Sequence, residues 1–317
     1  MILSTIQLIA LKKLPGLGNS TIAKIIDSFN EETVDDANLV SLLKSCNIKK
    51  PKAHGGDYFN ESDITKALDG AFDVIKLSEK ANIQIHSIFD ISYPSVFLKL
   101  YNESGKQIRS PLIIYSKGDI SLLNKASITI IGSRSKLDLI NITAQYFARE
   151  FSLRGINIVS GLALGCDSSA HIGAMIPPHG KTTAILASGL DSIYPSSNTS
   201  LADKILDKEG LLISEYEVGS KVSNYSLVAR DLLQACASKA TLVIATGING
   251  GSMHAARSCS LSGKKLYTVC FSDNTNNALD QTAGNIKLVN DLNAIYIKKL
   301  TSHTIAPSID SIVKSLL

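Results

Sequence analysis

No two cysteines of this sequence stand at C-x-x-C spacing. The five lie at 46, 166, 236, 259 and 270, and an odd count without metal-ligand spacing excludes a disulfide framework and a zinc knuckle. They read as isolated buried thiols of a protein kept in a reducing, cytoplasmic compartment. Long apolar runs are also missing. The longest are only a few residues, as at Leu242–Ala245, so no membrane-spanning segment and no membrane partner is expected. The apolar start, Met1 to Leu11, has no basic residue before it. Lys12 and Lys13 follow instead of a small-residue cleavage site, which argues against a signal peptide.

A large net charge is absent too: the chain carries +4 at pH 7. With 317 residues, 44% hydrophobic and 19% charged, it is long enough for about two globular domains and excludes a disordered protein. The charge is unevenly spread. Residues 1–110 are neutral, whereas 221–265 hold six basic residues (Lys221, Arg230, Lys239, Arg257, Lys264, Lys265) against one acid, Asp231. That asymmetry fits an anion-binding surface or a solvated basic face.

The first third reads as mainly helical. Ile6, Ile9 and Ala10 share a helical face, and Leu14-Pro15-Gly16-Leu17-Gly18 breaks that helix. Ser20 is the expected cap of a second helix with Ile22, Ile25, Ile26 and Phe29 on one side. This helix–hairpin–helix can hold a nucleic-acid phosphate at its Gly-x-Gly turn, or be a plain corner where glycine permits the turn. Residues 44–63 read as an exposed loop.

From Ser127 onward strands alternate with helices. Short β-branched runs at 128–131, 156–159, 182–186, 211–213, 242–245 and 266–269 are separated by helix-length segments at 138–153, 168–176, 199–208, 226–238 and 252–262. Runs apolar on both faces indicate a parallel sheet covered on each side, an α/β doubly wound fold. The expected domains are a helical 1–85, a Rossmann-like 86–300 and a tail 301–317.

Ligands of such sheets sit beyond the carboxyl ends of the strands. Three glycine-bearing loops follow strands there. They are Gly132-Ser133-Arg134-Ser135, Gly161-Leu162-Ala163-Leu164-Gly165-Cys166-Asp167, and Gly247-Ile248-Asn249-Gly250-Gly251-Ser252. Glycine lets backbone approach an anion, a helix N-terminus supplies amide donors, and Arg134 adds a fork matched to phosphate. Standard fingerprints do not fit. The first strand–helix turn lacks G-x-G-x-x-G, and Gly180-Lys181-Thr182 has Met175 where a P-loop needs glycine. G-x-S-x-G and H-E-x-x-H do not occur. Asp167 and His171 share a helix face, more in keeping with a cap and a packed ring than with a catalytic pair. No catalytic constellation, metal site or cofactor is expected.

These residues resemble the DprA/Smf family. The resemblance rests on Leu14–Gly18, Tyr93-Pro94, Ile131–Arg134, Val159–His171, Ile185–Pro195, Leu212–Glu215 and Gly250–Ser252, in that order. It covers about residues 5–297 and implies an N-terminal helical domain joined to an extended Rossmann-like domain. It also implies a homodimer that binds single-stranded DNA and loads the RecA recombinase during natural transformation. By the resemblance, Gly132, Ser133 and Arg134 form a DNA-phosphate loop; Gly161, Gly165, Gly250, Gly251 and Ser252 are added as phosphate contacts by their place in the glycine loops above. Lys221, Tyr225 and Arg230 fall where the family has a basic residue, a phenylalanine and the last arginine of F-P-x-R-N-R. Tyr225 would stack on a base and the two cations would track the backbone.

The sequence departs from the family at Tyr225–Arg230, which lacks the proline, one arginine and the asparagine. Lys136–Leu139 lacks an expected glycine, and Ala245-Thr246 replaces a valine or glutamate followed by alanine. A C-terminal winged helix, which many members carry, is not expected from this sequence. Such changes fit a diverged member in mobile-element or defence functions. The alternative is a nucleotide sensor, or a nucleoside-monophosphate phosphoribohydrolase resembling the Lonely-guy group. That group uses a P-G-G-x-G-T-x-x-E loop, but Gly250–Ala256 has no carboxylate, and only Asp167 or Glu215 is at hand to replace it.

Overall fold

The computed structural model describes residues 3–28, 34–102, 104, 106–134, 137–271, 279–297 and 302–317. Phe29, Ser135 and Lys136, singled out above, lie outside the described residues. The chain divides into two compact units, Met1–Ser95 with Arg109–Ser116, and Val96–Ile108 with Lys117–Leu317.

The first unit begins with α1 (Thr5–Lys13), α2 (Asn19–Asp27), α3 (Leu39–Ser45), α4 (Glu61–Lys80) and strand β1 (Gln84–Ser87). Ser4 and Gln7 close a capping box on α1, and Asn60 with Asp63 closes one on α4, pairing amides a helix start leaves open. The cap expected at Ser20 is not there. Helix α2 starts two residues earlier, with Gly18 as its N-cap and no side-chain cap bond. Gly16, at φ +82°, sits against Pro51 where a Cβ would collide, so this glycine serves the turn. The chain then forms a short antiparallel pair in the second unit, β2 (Leu100–Tyr101) and β3 (Gln107–Ile108). It returns as β4 (Ile113–Gly118), antiparallel to β1.

The second unit continues with β5 (Ser127–Ile131), α5 (Asp138–Leu153), β6 (Asn157–Ser160), α6 (Cys166–Ala174), β7 (Thr182–Leu186), α7 (Thr199–Asp207) and β8 (Leu211–Ser214). Then come α8 (Asn224–Cys236), β9 (Ala240–Val243), α9 (Ser252–Leu261), β10 (Lys265–Val269), α10 (Leu279–Leu292), β11 (Ile295–Ile297) and α11 (Ser302–Leu316). The strands of this unit run in the order β8-β7-β6-β5-β9-β10-β11, and every pair among them is parallel. Strands β5 to β9 are buried along their whole length, as continuous β-branched runs require when helices cover both faces. One core packs Phe147 and Phe151 of α5 and Ile309 of α11 against Ile128, Ile158 and Leu242. The other sets Met253 and Cys259 of α9 under Val243 and Leu266.

The strand order reverses at β5. From β5 the chain winds outward through β6, β7 and β8, then crosses back to β9 on the other side of β5. That reversal opens a crevice past the carboxyl ends of β5 and β9. No helix among the described residues is long and apolar enough to cross a membrane.

Candidate nucleic-acid interface

A cavity of about 390 Å³ occupies this crevice, a size typical of ligand pockets. It is lined by Gly132, Ser133 and Arg134 after β5, Ala163 and Asp167 between β6 and α6, and Thr246, Gly247, Gly250, Gly251 and Ser252 between β9 and α9. The three glycine loops therefore converge. They are also tied together: the Ser133 amide donates to the Ala245 carbonyl at 2.7 Å, and the Cys166 amide donates to the Ser133 carbonyl at 3.3 Å.

Most glycines of these loops serve that packing. A Cβ on Gly132 would strike Cys166, and one on Gly165, at φ +83°, would strike the Ser133–Arg134 backbone. The amides of Ser133 and Gly250 already donate to protein carbonyls, so they are not the anion donors expected of them. Gly251 is different, because the space beside its Cα is open. With Ser252 it forms the start of α9, which no side chain caps and where the Met253 and His254 amides donate to the Gly250 and Gly251 carbonyls, so the helix end offers its dipole and the Ser252 hydroxyl. Asn285 of α10 buttresses this loop, accepting from the Thr246 amide at 3.0 Å and donating to the Ile244 and Val269 carbonyls.

Arg134 is exposed at the rim of the cavity. Arg230 is not the surface cation expected of it. It is 5% exposed and also lines the cavity, but from within α8. Its Nε lies 3.1 Å from Asp231 and its Nη1 3.8 Å from Asp167, and it donates to the Gly161 carbonyl. Gly161 likewise departs from its expected role: its backbone is covered by that guanidinium, and a Cβ there would collide with Arg230. Buried guanidinium groups are held by such pairs because a lone charge would be expelled.

One guanidinium between two carboxylates leaves this wall short of positive charge. Burial raises the Asp167 carboxyl above its ordinary range despite the pull of Arg230. Asp231 is pushed up to about 6, again by burial first, with Arg230 opposing. His171 is fully buried, bonded through Nδ1 to Thr182, and driven down to about 3 by burial and by Arg230. It is a neutral packed ring.

Lys221 and Tyr225 lie outside the cavity lining. Both are exposed, Tyr225 at 81%, on the approach to α8 and in its first turn. Two other cations of the basic stretch are spent on structure. Lys264 donates to the carbonyls of Ala235, Cys236 and Ser238 at the end of α8, and Lys239 donates to Leu316, the usual service of cations at helix C-termini.

Sequence reasoning passed over Asp231 and Gln234, which line the cavity beside Arg230. The signal was present: Asp231 is the only acid within 221–265. It also passed over a smaller space of about 70 Å³, where Tyr194, Pro195, Leu164 and Leu227 meet the other side of Arg134.

The family model described as DNA recombination-mediator protein A matches residues 84–305. Protein Smf of Borreliella burgdorferi is 27% identical over 234 residues, 73% of this chain and 72% of that one. DNA processing protein DprA of Streptococcus pneumoniae is 26% identical over 271 residues, 85% and 88% of the two chains. The crystal structure of the S. pneumoniae protein superposes with a TM-score of 0.73 at 22% identity, over 98% of both chains, which shows the fold. DNA processing protein A from Helicobacter pylori, solved for its single-stranded DNA binding mode, is 27% identical with a TM-score of 0.60. That match covers 73% of this chain and 97% of that one.

Proposed function

The chain belongs to the DNA recombination-mediator protein A family, and from that premise we propose that it binds single-stranded DNA as a recombination mediator. The observation that carries this reading is the convergence of three strand–helix loops on one crevice at the sheet's reversal point, with Arg134 at its rim. A strand running past the rim meets a guanidinium and the α9 N-terminus, both suited to phosphate. The carboxylates of Asp167 and Asp231 repel a phosphate from the inner wall, so the group that enters the cavity is a base and the backbone stays outside. Lys221 and Tyr225 extend the path along the surface as a second phosphate contact and a stacking ring.

Assembly as a homodimer and delivery of the strand to RecA, which the family resemblance implies, complete the reading. Sedimentation of the purified protein tests the first. Nucleation of RecA filaments on single strands, with and without this protein, tests the second. The S. pneumoniae and H. pylori relatives are DNA-processing proteins by name; of the two carboxylates open to a hydrolase, Asp167 lines the cavity and Glu215 does not. Asp167 is tied to the buried Arg230 guanidinium, and the names of these relatives favour DNA binding over hydrolysis.

Gel-shift titrations with single-stranded and duplex DNA, run beside chromatography of nucleoside monophosphates incubated with the protein, test the whole proposal. Binding to single strands without release of free base is the expected result. Base release lost in Asp231→Asn would replace the binding protein with an enzyme.

A further inference from the structure

Arg134 borders two spaces. One is the cavity described above, and the other is the smaller one of about 70 Å³ on its other side. The smaller space is mostly apolar. Leu164 of the β6–α6 loop, Tyr194 and Pro195 of the β7–α7 loop and Leu227 of α8 line it. Leu164 is 48% and Tyr194 47% exposed, so two large side chains from separate loops keep about half their surface in water while lining one space. Apolar side chains scattered singly over a surface are ordinary, whereas a contiguous set marks a binding site.

Arg230 also lines this space, but its guanidinium is engaged by Asp167, Asp231 and the Gly161 carbonyl. What remains open to a ligand is an aromatic ring and aliphatic walls beside the exposed Arg134 guanidinium. A flat apolar seat next to an anion-binding fork fits one nucleotide unit, with the phosphate on the arginine and the base on the ring. A phosphate joins two nucleotides, so a strand anchored at Arg134 has one base on either side of it.

We propose that the smaller space is a second base site, in which Tyr194 stacks on the base next to the phosphate held by Arg134. The inference rests on the DNA-binding reading above and makes Tyr194, ahead of Tyr225, the main stacking ring. Leu227 and Arg230, three residues apart on α8, both line this space. Tyr225 stands two residues before Leu227, a spacing that does not share a helix face.

Fluorescence anisotropy tests the site with two labelled strands of equal length, an oligothymidylate and a wholly abasic strand. Both carry the same phosphates, and only the first carries bases. Tyr194→Ala is expected to weaken oligothymidylate binding about tenfold, the scale of one stacked base, and to leave the abasic strand within about twofold. Tyr194→Phe keeps the ring and should bind both strands as the unaltered protein does. The salt slope should stay where it was, because stacking releases no counterions. An equal loss on both strands assigns Tyr194 to phosphate binding or to the fold and overturns the base site, as does unchanged binding of oligothymidylate. If Tyr194→Ala does not fold, Leu164→Asn, which sets a polar amide in the same wall, decides with the same two strands. Selective loss of oligothymidylate binding there upholds the site, and any other result overturns it. Failure of the unaltered protein to bind oligothymidylate removes the DNA-binding reading itself, and the base site with it.

Discussion

Arg134 and Arg230 line the same cavity under opposite conditions. The rim arginine is exposed, on a loop that leads to a helix, while the inner one is 5% exposed and held between two carboxylates and the Gly161 carbonyl. The rim is built to meet something from outside, whereas the inner wall has its cation already matched. A guanidinium in a nucleic-acid cleft is thus no statement about phosphate until its neighbours are known. A buried, paired arginine has its donors committed, and drawing it out would leave two carboxylates facing each other.

The sharpest way to break this contrast is Arg230→Ala. Stripping the buried cation from Asp167 and Asp231 should cost about 3–5 kcal/mol of stability, read as a lower midpoint in urea melts. Unchanged stability with weakened DNA binding would move Arg230 to the rim's role. Next in size, Arg134→Ala should lose about 1.5–3 kcal/mol of affinity for single strands, the worth of a charge-assisted hydrogen bond, with the melting temperature within a few degrees. With Arg134 and Lys221 as the two backbone cations, the log–log salt slope should be about −1.4, and removing either should flatten it by about 0.7.

A smaller effect follows from pH. Asp231 titrates near 6 in the folded protein, above the ordinary 3.8, because burial disfavours its charge. It therefore gains a proton as pH falls through 6 and stops accepting at both oxygens. Between about pH 4 and 6 the folded state holds a proton that the unfolded chain releases, so the urea midpoint should be higher at pH 5 than at pH 8 as far as Asp231 decides it. Arg230, Asp167, His254 and Arg134 act on Asp231 from α8, α6, α9 and the β5–α5 loop. The control is Asp231→Asn, in which that pH dependence should shrink; an undiminished effect there would take it away from Asp231. Smallest of all, Tyr225→Ala should cost about 1 kcal/mol of binding, the low end for a stacked base, and leave the salt slope alone. The ring is outside the cavity lining, and a steeper loss would place it at the centre of the strand's path.

Much of the α/β unit was legible beforehand. The runs at 128–131 and 182–186 became β5 and β7, and the segment 138–153 became α5 with the same limits. Continuous β-branched runs and 3.6-residue periodicity are local properties, readable one segment at a time. The convergence of the three glycine loops also followed, because a doubly wound sheet brings its strand ends to one edge. Less legible were the helix cap, where Ser20 met the sequence rule for a cap and Gly18 took the position, and the work of the basic stretch. Lys239 and Lys264 meet carbonyls 77 and 26–29 residues away, so nothing in their neighbourhood along the chain announces the contact.

The sequence by itself determined the sheet, its helices and the edge where a ligand sits, because each depends on patterns within about ten residues of chain. Tertiary structure alone decided which charges are solvated. Arg230 reaches Gly161 across 69 residues and Asp167 across a similar span. A side chain's ionisation and availability depend on the dielectric and partners around it, and those are assembled only when distant segments meet.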